Sequence, residues 1–323
     1  MVDLSICICT YKRPLLLKRL LQAILDQTLS GHSIEVVVVD NDVESSASDV
    51  LKDMASVFGT RLKSYNLAYP NISLARNAAI AAATGIWVVM IDDDEVPVLE
   101  WLAQLVQVQN AHHADVIFAP VLPEYSEQTP EWIRRGGFFD RRRLATGTLI
   151  DHRDARSGNV MIRHSLLNAL TQAQKDQAGP FDPAFGTTGG EDTMLFRQLA
   201  KLGAVMVWCD EAPAYEAIPA DRATAKWLLQ RSYRTGQLFI RTELAMLAGT
   251  KKWMSALMLS GRACLQFVLA LVFALVCLPV RSLRSFYWLR IAASQLGKLS
   301  YFWGRAAHAY GNPDKKNTKT GQD

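Results

Sequence analysis

The chain has 323 residues, half of them hydrophobic, so it can bury one large α/β core with an appendage, or two modest domains. Its mean hydropathy of +0.05 excludes a polytopic membrane protein. Residues 1–250 carry 24 Lys and Arg against 29 Asp and Glu, a net of −5, whereas residues 251–323 carry 11 against 2, a net of +9. A basic segment interleaved with long apolar runs favours an anionic membrane surface over nucleic acid as its partner, with a solubilising tail as the alternative.

In the first half of the chain, short apolar runs alternate with segments of helical spacing. This alternation predicts right-handed βαβ crossovers and a mostly parallel sheet covered by helices on both faces. Polar residues cluster where three strands end, at 10–13, 40–42 and 92–94, so we expect them to meet in one ligand crevice. Strands are predicted at 4–9, 34–39, 61–65, 86–91 and 116–119, and helices at 15–29, 46–58, 73–84 and 98–112.

Beyond residue 119 the pattern is less regular. Residues 123–156 are predicted to form one long surface segment, and segments of that length in compact domains are often functional. A Gly- and Pro-rich stretch at 179–190 leads into a helix that ends near residue 202. Further strands are predicted at 157–162 and 205–209, and a further helix at 222–248.

The C-terminal part contains two membrane-compatible segments. Residues 263–280 are apolar, with only Gln266 strongly polar, and reach the lower length limit for crossing a bilayer. Residues 286–303 are aromatic-rich and amphipathic, as is typical of an interface. With the body in the cytoplasm, a single span would place the basic C-terminus outside, against the preference of basic segments for the cytoplasmic side. A re-entrant hairpin, or two helices lying in the inner leaflet, is therefore favoured because it keeps both ends inside. A helical hairpin packed on the domain or on a second subunit is the alternative.

The cysteines and the N-terminus bear on the compartment. The five cysteines are an odd number without a CxxC pair, which predicts apolar packing residues in a reducing environment rather than disulfides or a zinc site. The N-terminus lacks the charged region of a secretory signal, and Asp3 lies where that region would begin. We therefore expect the body of the protein to stay in the cytoplasm.

The strongest chemical signal is the run Asp92, Asp93 and Asp94 at the exit of a buried strand. Adjacent carboxylates repel one another, so this turn favours a cation, and its oxygen ligands suit Mg²⁺ or Mn²⁺ bridging a diphosphate. An acidic loop that caps the next helix is the alternative. Asp40 ends the second strand and is a candidate ligand for the base or ribose of a nucleotide, or else a simple turn residue.

Three further groups of charged residues are candidates. Arg76 lies among small apolar helix residues and could reach a phosphate or nucleobase, or snorkel at the surface. Glu191 and Asp192 follow two glycines at a predicted helix start, where they could supply a general base for a sugar hydroxyl or merely occupy a favourable first turn. Arg231 and Arg234 share one helical face and could clamp a diphosphate, or form a solvated basic face.

Five motifs in order resemble those of a known family. P-loop, dinucleotide-binding, HExxH and GxSxG signatures are absent from the sequence, which argues against a nicotinamide oxidoreductase among others. The motifs are TYKRP at 10–14, VVVVDND at 36–42, LARN at 74–77, IDDDE at 91–95 and GGED at 189–192. With these motifs, the sequence over residues 3–240 is similar to the inverting glycosyltransferases of family 2, which have the GT-A fold. Within that family, residues 181–199, 215–224 and 228–237 resemble the branch that builds bacterial exopolysaccharides, and succinoglycan-type glucosyltransferases above all.

The resemblance implies a role for each matching position. Asp192 matches the catalytic base, and Glu191 would position the acceptor. Asp92 and Asp94 match the outer carboxylates of a D-x-D motif, with Asp94 favoured as the direct ligand of Mg²⁺ or Mn²⁺. Glu216 stands near the place where many relatives have a metal-assisting His, and is a candidate third ligand. Donor-binding roles fall on Thr10, Tyr11, Arg13, Asp40, Arg76, Asp92, Asp93, Arg231 and Arg234, with Asp40 at the uracil, Arg76 at the uridine diphosphate and the last two at the leaving diphosphate.

The activity implied is a metal-dependent hexosyltransferase acting by one in-line displacement, so that a UDP-α-sugar yields a β-linkage. Glucose is the best guess for the sugar, and the acceptor would be a saccharide on a polyprenyl diphosphate at the cytoplasmic face of a bacterial inner membrane. The alternatives are direct transfer to polyprenyl phosphate and a non-catalytic scaffold subunit of a polysaccharide complex. The expected division is a GT-A domain at 1–245, a membrane-associating helical region at 246–310, and a disordered basic tail at 311–323.

Overall fold

The computed structural model describes residues 2–27, 29, 31–174, 178–279 and 282–303. The predicted tail at 311–323 and the end of the predicted apolar run, residue 280, lie outside these residues. The strands are β1 Leu4–Thr10, β2 Ile34–Asp40, β3 Leu62–Asn66, β4 Trp87–Met90, β5 Glu95–Pro97, β6 Val116–Phe118, β7 Val121–Tyr125, β8 Val160–Arg163, β9 Met206–Trp208 and β10 Ala214–Ile218. The helices are α1 Pro14–Leu25, α2 Ser48–Phe58, α3 Ile72–Ala82, α4 Trp101–His112, α5 Glu131–Gly136, α6 His164–Ala173, α7 Glu191–Lys201, α8 Ala225–Ala245, α9 Gly249–Cys277 and α10 Ser282–Ser300.

A seven-stranded sheet in the order β3-β2-β1-β4-β8-β6-β9 forms the centre of the fold. All its strands run in one direction except β8, which is antiparallel to both β4 and β6. The prediction of a mostly parallel sheet is therefore confirmed. Because β1 lies between β2 and β4, with Thr10 opposite Asp40, the three polar strand ends meet at one edge, as predicted.

Apolar side chains fill both faces of this sheet. Alternate residues of β1 point to opposite faces, so Ile6 and Ile8 pack against α1, α2 and α4, whereas Cys7 packs on the side of α3, α6 and α7. This double coverage explains why the strands read as continuous apolar runs. All five cysteines are free thiols, and Cys7 and Cys209 are buried packing residues.

A small second sheet, β5-β10-β7, was not predicted. In it β10 is antiparallel to β5, which places Glu216 opposite Glu95, and parallel to β7. The prediction of one surface segment over 123–156 was wrong in part, because β7 and α5 begin that stretch. Strands of three to five residues are too short to show a hydrophobic period, so the sequence pattern did not indicate them.

Glu35 is a buried carboxylate within the otherwise apolar strand β2. Its oxygens accept hydrogen bonds from Ser5 Oγ at 2.6 Å and from the backbone nitrogen of Thr84 at 2.6 Å, and Lys63 Nζ lies 2.6 Å from Oε2. Burial alone raises the pKa of this carboxyl, but the hydrogen bonds from Lys63, Ser5 and Thr84 outweigh it and lower the pKa to about 2. The charged form therefore ties β2 to β1, β3 and the loop before β4.

We expect Glu35→Gln to lower the free energy of unfolding by about 3 kcal/mol at pH 7, since each pKa unit is worth about 1.4 kcal/mol. A lowered pKa stabilises the fold above the ordinary value of 4.5, and that contribution is lost as the pH falls towards 2. Urea unfolding of both proteins at pH 7 and near pH 3 measures the difference. Asp53→Asn, at an exposed site on α2, is the control and should change little. A deficit of equal size at both pH values would contradict the prediction.

Helix α10 packs on α8 at two glycines. A methyl group added to Gly297 would overlap the backbone oxygen of Tyr233, and one added to Gly236 would overlap that of Ser294. The aromatic rings of Trp132 and Phe138 pack against Phe286 from the start of α10, with centroids 5.1 and 5.2 Å apart. The C-terminal helices are thus attached to the body through α10.

We expect Gly297→Ala to destabilise the protein by about 1–3 kcal/mol, because the added methyl group forces α10 away from α8. Gly261→Ala is a matched control, since Gly261 is also a helix glycine but has open space around its Cα. That control should instead stabilise α9 slightly through helix propensity. Thermal unfolding in detergent, followed by circular dichroism, measures both variants. Equal melting temperatures would show that the close approach of α8 and α10 is not needed.

Helix α9 has one covered face and one exposed apolar face. Its buried positions are Ala256, Ala263, Ala270 and Ala274. It packs against α10, where Ser285 Oγ donates to the backbone oxygen of Ala274 at 2.7 Å. The exposed face includes Leu257, Leu265, Val268, Val272 and Leu275.

Within the described residues, α9 is the one helix that is long and apolar enough to cross a membrane, with a mean hydropathy of 2.0 and 17% of its most apolar stretch buried. It begins at Gly249 and continues through Arg262, so it is longer than the predicted run at 263–280. The sequence analysis gave a helical hairpin packed on the domain as an alternative. Helix α10 packs on the domain in this way, while the outer face of α9 remains uncovered.

Candidate active site

A cavity of about 240 Å³ lies at the carboxyl ends of β1, β2 and β4. Eight of the predicted site residues line it, which are Thr10, Tyr11, Arg13, Arg76, Asp92, Asp93, Asp94 and Glu216. It is completed by Cys9, Asn41, Pro70, Ile72 and Arg222. Residues from three strand ends, α3 and the second sheet thus share one site, which we call the donor cavity.

The acidic turn after β4 is held in place by the loop after β1. Asp93 accepts hydrogen bonds from Thr10 Oγ1 at 2.8 Å and from Arg13 Nη1 at 3.1 Å. Asp94 Oδ2 lies 2.8 Å from the same Arg13 nitrogen and 3.6 Å from Arg222 Nη1. All three carboxylates of the turn line the cavity, and Arg13 contacts both Asp93 and Asp94, so the loop after β1 holds the turn in place.

Arg76 joins two motifs, those of Asp92 and Glu191, that are 99 positions apart in the chain. Its Nη1 lies 2.7 Å from Glu191 Oε1, its Nη2 lies 3.3 Å from Asp92 Oδ1, and its guanidinium stacks over the ring of Phe181. Arg76 and Glu191 are both buried. Burial raises the pKa of Glu191 to about 7 even beside this arginine. The pair fixes the start of α7 against the acidic turn.

Two glycines set the orientation of the carboxylates at the start of α7. Gly189 and Gly190 have φ angles of 87° and 96°, in the left-handed region that favours glycine. Glu191 then turns inwards to Arg76, while Asp192 is partly exposed and its Oδ1 accepts a hydrogen bond from the backbone of Thr193 at 2.7 Å. In the part of the chain that the structure describes, Asp192 makes no ion pair. It is therefore the carboxylate of this pair that remains open to an incoming group.

The acidic turn carries the carboxylates predicted to hold Mg²⁺ or Mn²⁺, and that role stays a prediction. No three carboxylate, imidazole or thiol groups among the described residues converge closely enough to form a whole metal site. Burial and the neighbouring charge of Asp92 raise the pKa of Asp94 to about 6, although Arg13 opposes them. Arginines already pair with these carboxylates, Arg76 with Asp92 and both Arg13 and Arg222 with Asp94, so a cation would replace some of these contacts. Mg²⁺ and Mn²⁺ take one or two carboxylates and fill the remaining positions with phosphate oxygens and water.

Glu216, the candidate third ligand, is engaged by arginines. Arg141 Nη2 donates to its Oε2 at 2.6 Å, and Arg222 Nη1 lies 3.5 Å from its Oε1. Its metal role stays a prediction. The sequence analysis assigned no role to Arg141 or Arg222. Arg141 belongs to a run of three arginines at 141–143, which was a possible signal for it.

The predicted uracil ligand, Asp40, lies behind the cavity wall. Its two oxygens accept hydrogen bonds from the backbone nitrogens of Asp42 at 3.1 Å and Ala47 at 2.9 Å, so it stabilises the loop after β2. The next residue, Asn41, lines the cavity instead. In the amide orientation that satisfies both neighbours, Asn41 donates to the oxygen of Tyr69 at 2.7 Å and accepts from the nitrogen of Asn71 at 3.1 Å. The role of Asp40 at the base stays a prediction.

The two arginines of α8 do not line the donor cavity. Arg231 borders a second cavity of about 570 Å³, and its guanidinium stacks over the rings of Phe139 and Trp227 at 5.6 and 5.3 Å. Arg234 is partly exposed one turn further along α8. Their part in holding a leaving diphosphate stays a prediction.

The mostly parallel sheet, with the acidic turn at its carboxyl edge and Arg76 linking that turn to the start of α7, is a GT-A-like fold. The chain belongs to glycosyl transferase family 2, whose family profile matches residues 5–171, more than half of its length.

The chain is similar to a curated relative and to solved structures. The succinoglycan biosynthesis protein ExoM of Rhizobium meliloti (strain 1021) is 28% identical to it over 236 residues, which cover 73% of this chain and 74% of that protein. The crystal structure of S. aureus TarS 1–349 has a TM-score of 0.52 at 17% identity, covering 94% of this chain and 92% of that one. TarS 1–349 in complex with UDP-GlcNAc gives the same TM-score and identity, with coverage of 94% and 93%. The TarS likeness shows the fold.

Proposed function

We propose that this protein is an inverting, metal-dependent glycosyltransferase that moves a sugar, with glucose as the best guess, from a UDP-sugar to a saccharide on a lipid carrier. The observation that carries the proposal is the ion-pair chain Asp92–Arg76–Glu191, because it ties the acidic turn of the donor cavity to the helix start that carries Asp192, the candidate base. Solved TarS structures contain UDP and UDP-GlcNAc, which supports a nucleotide-sugar donor.

Donor binding would use the residues of the donor cavity. Asp92 and Asp94 would hold Mg²⁺ or Mn²⁺, which neutralises the charge that develops on the departing diphosphate. Arg13 contacts Asp93 and Asp94, and Arg222 contacts Asp94, so both arginines could exchange these contacts for phosphate oxygens. Tyr11 and Asn41 would border the nucleoside, and Thr10 would hold Asp93 and the turn in place.

Sugar transfer would need one general base beside the hydroxyl group of the acceptor. Asp192 would accept the proton of the acceptor hydroxyl as its oxygen attacks the anomeric carbon and the bond to the diphosphate breaks. One displacement inverts the anomeric configuration, so a UDP-α-sugar would give a β-linked product. Glu191, fixed by Arg76, would hold the start of α7 at a constant distance from the donor and position the acceptor.

The setting we propose is the cytoplasmic face of a bacterial inner membrane. The exposed apolar face of α9 supports association with the inner leaflet, and the similarity to the succinoglycan biosynthesis protein ExoM supports a part in exopolysaccharide synthesis. The division into a glycosyltransferase domain at 1–245 and a membrane-associating region at 246–310 is part of the proposal. The acceptor would be a polyprenyl-diphosphate-linked saccharide.

The test is UDP release by the purified full-length protein with a panel of UDP-sugars, in Mn²⁺, in Mg²⁺ and in EDTA. We expect one sugar to support turnover that EDTA abolishes and that Asp94→Asn lowers at least about tenfold, since hydrogen bonds and contacts of charged groups are worth about 1.5–3 kcal/mol. Asp221→Asn, an exposed carboxylate before α8, is the control. Binding of UDP without turnover on any acceptor would support the scaffold alternative, and absence of UDP binding would refute the proposal.

A further inference from the structure

The second cavity, of about 570 Å³, is unusually rich in arginine. It lies between the segment 138–158, α8 and α10, and its volume is that of a small-molecule site. Its acidic lining residues are Asp140 and Asp154. Its arginines are Arg141, Arg142, Arg156, Arg231 and Arg290.

The positive charge of this cavity is only partly neutralised. Arg141 pairs with Glu216 and Arg142 with Asp154. Among the residues that the structure describes, Arg156, Arg231 and Arg290 make no ion pair. Arg231 and Arg290 are partly buried, and partly desolvated guanidinium groups without carboxylate partners favour the binding of an anion.

Arg231 and Arg290 are held so that they face the cavity. Arg231 is stacked against two aromatic rings, and Arg290 lies 5.0 Å from the centre of the Phe138 ring, with its Nε 3.4 Å from Ser232 Oγ. Burial, together with the charges of the neighbouring arginines, lowers the pKa of Arg231 to about 10 against the opposing effect of Glu216. Both guanidinium groups are therefore preorganised and partly desolvated, which strengthens a bond to an oxyanion.

The second cavity adjoins the acidic turn. A methyl group on Gly158, which lines the cavity, would lie 3.2 Å from Asp92 Oδ2 and 2.7 Å from Glu95 Oε1. The Arg141–Glu216 pair stands between the two cavities, since Arg141 lines one and Glu216 the other. A ligand in the second cavity would thus approach the reacting end of the donor without displacing the nucleotide.

The outer wall of the cavity is the C-terminal hairpin. Tyr287, Arg290 and Ile291 of α10 line it, and α10 packs in turn against α9, whose far side is apolar and exposed. A ligand with a lipid anchor could therefore place its polar head in the cavity while its chain follows the apolar face of the hairpin.

We propose that the second cavity binds an oxyanion carried by the acceptor, a phosphate or carboxylate close to the accepting hydroxyl, with Arg231 and Arg290 as its ligands. This inference rests on the proposed function and specifies the class of the acceptor substrate, which would be anionic. It assigns Arg231 to the acceptor rather than to the leaving diphosphate, which is the role predicted from the sequence. Arg290 enters the site only because α10 packs on the domain.

The experiment measures ligand binding to the full-length protein in detergent by calorimetry, with UDP saturating the donor cavity and Mn²⁺ in excess. The probes are geranyl diphosphate and methyl glucuronide, which separate a phosphate source from a carboxylate source, and geraniol is the uncharged control. We expect one or both anions to bind in the presence of UDP and geraniol to bind far more weakly.

Three arginine variants locate the site. Arg231→Gln and Arg290→Gln should each weaken anion binding about tenfold or more and leave UDP affinity unchanged, because each removes a charged hydrogen-bond donor. Arg284→Gln, at an exposed arginine one helix face away on α10, is the matched control and should bind as the parent does.

The outcomes separate this inference from the proposed function. If UDP binds but both anions fail to bind, or bind equally well to Arg231→Gln and Arg290→Gln, the acceptor site is refuted while the glycosyltransferase stands. If Arg231→Gln weakens UDP instead, the arginine belongs to the donor and the inference is likewise refuted. If UDP itself does not bind, the proposed function fails first.

Discussion

Asp192→Asn is expected to lower sugar transfer by about 10²–10⁴-fold, the range typical of a lost general base, while UDP-sugar affinity stays unchanged. Asparagine has the same shape but cannot accept the proton of the acceptor hydroxyl. Asp192 is the partly exposed member of the carboxylate pair, whereas Glu191 is buried against Arg76, so the substitution should leave the packing of α7 intact.

The measurement is initial rate with the active UDP-sugar beside calorimetric binding of UDP. Asp49→Asn is a matched control, because Asp49 is also an exposed carboxylate in the first turn of a helix and loses the same helix-dipole interaction. The control should retain full activity. Near-normal transfer by Asp192→Asn would show that another group removes the proton, and Glu191, with its raised pKa, would be the next candidate.

Arg76→Met is expected to abolish UDP-sugar binding and to lower the free energy of unfolding by about 3–5 kcal/mol, the usual cost of removing one partner of a buried ion pair. Methionine nearly fills the space of the arginine but leaves Glu191 buried without the guanidinium. One oxygen of Glu191, Oε2, is already buried without a hydrogen-bond partner among the described residues, so this carboxylate has little else to compensate for the loss.

A second substitution distinguishes the two effects. Arg76→Met combined with Glu191→Gln removes the unpaired charge, so it should recover much of the stability in urea unfolding but none of the UDP binding. Arg153→Met is the control for loss of an arginine at an exposed site and should cost less than about 1 kcal/mol. If the double variant is as unstable as Arg76→Met, the loss of stability does not come from leaving Glu191 buried without its partner.

The sequence by itself determined the central sheet and the chemistry of its edge. Strands buried on both faces must be apolar throughout, so β1, β2 and β4 stand out between helices of clear period. Parallel strands joined by crossovers bring their carboxyl ends together, and for that reason the order of the elements alone assigns the polar groups after β1 and β4 to one crevice. The acidic turn and the carboxylate pair at 191–192 were identified in the same way, from residue type at an element boundary.

Only the tertiary structure decided which of these groups touch. These contacts depend on the directions of side chains from elements that are far apart in the chain. They include the contact of Arg76 with Glu191, the contacts of Arg141 and Arg222 with Glu216, and the position of Arg231 at the second cavity. The sheet β5-β10-β7 could not be predicted, because strands of three to five residues are too short to show a hydrophobic period. Helix α10 forms a wall of the second cavity because its backbone and that of α8 approach closely at Gly236 and Gly297. Composition cannot reveal such an approach, because the fit of two helices is a property of their packed surfaces.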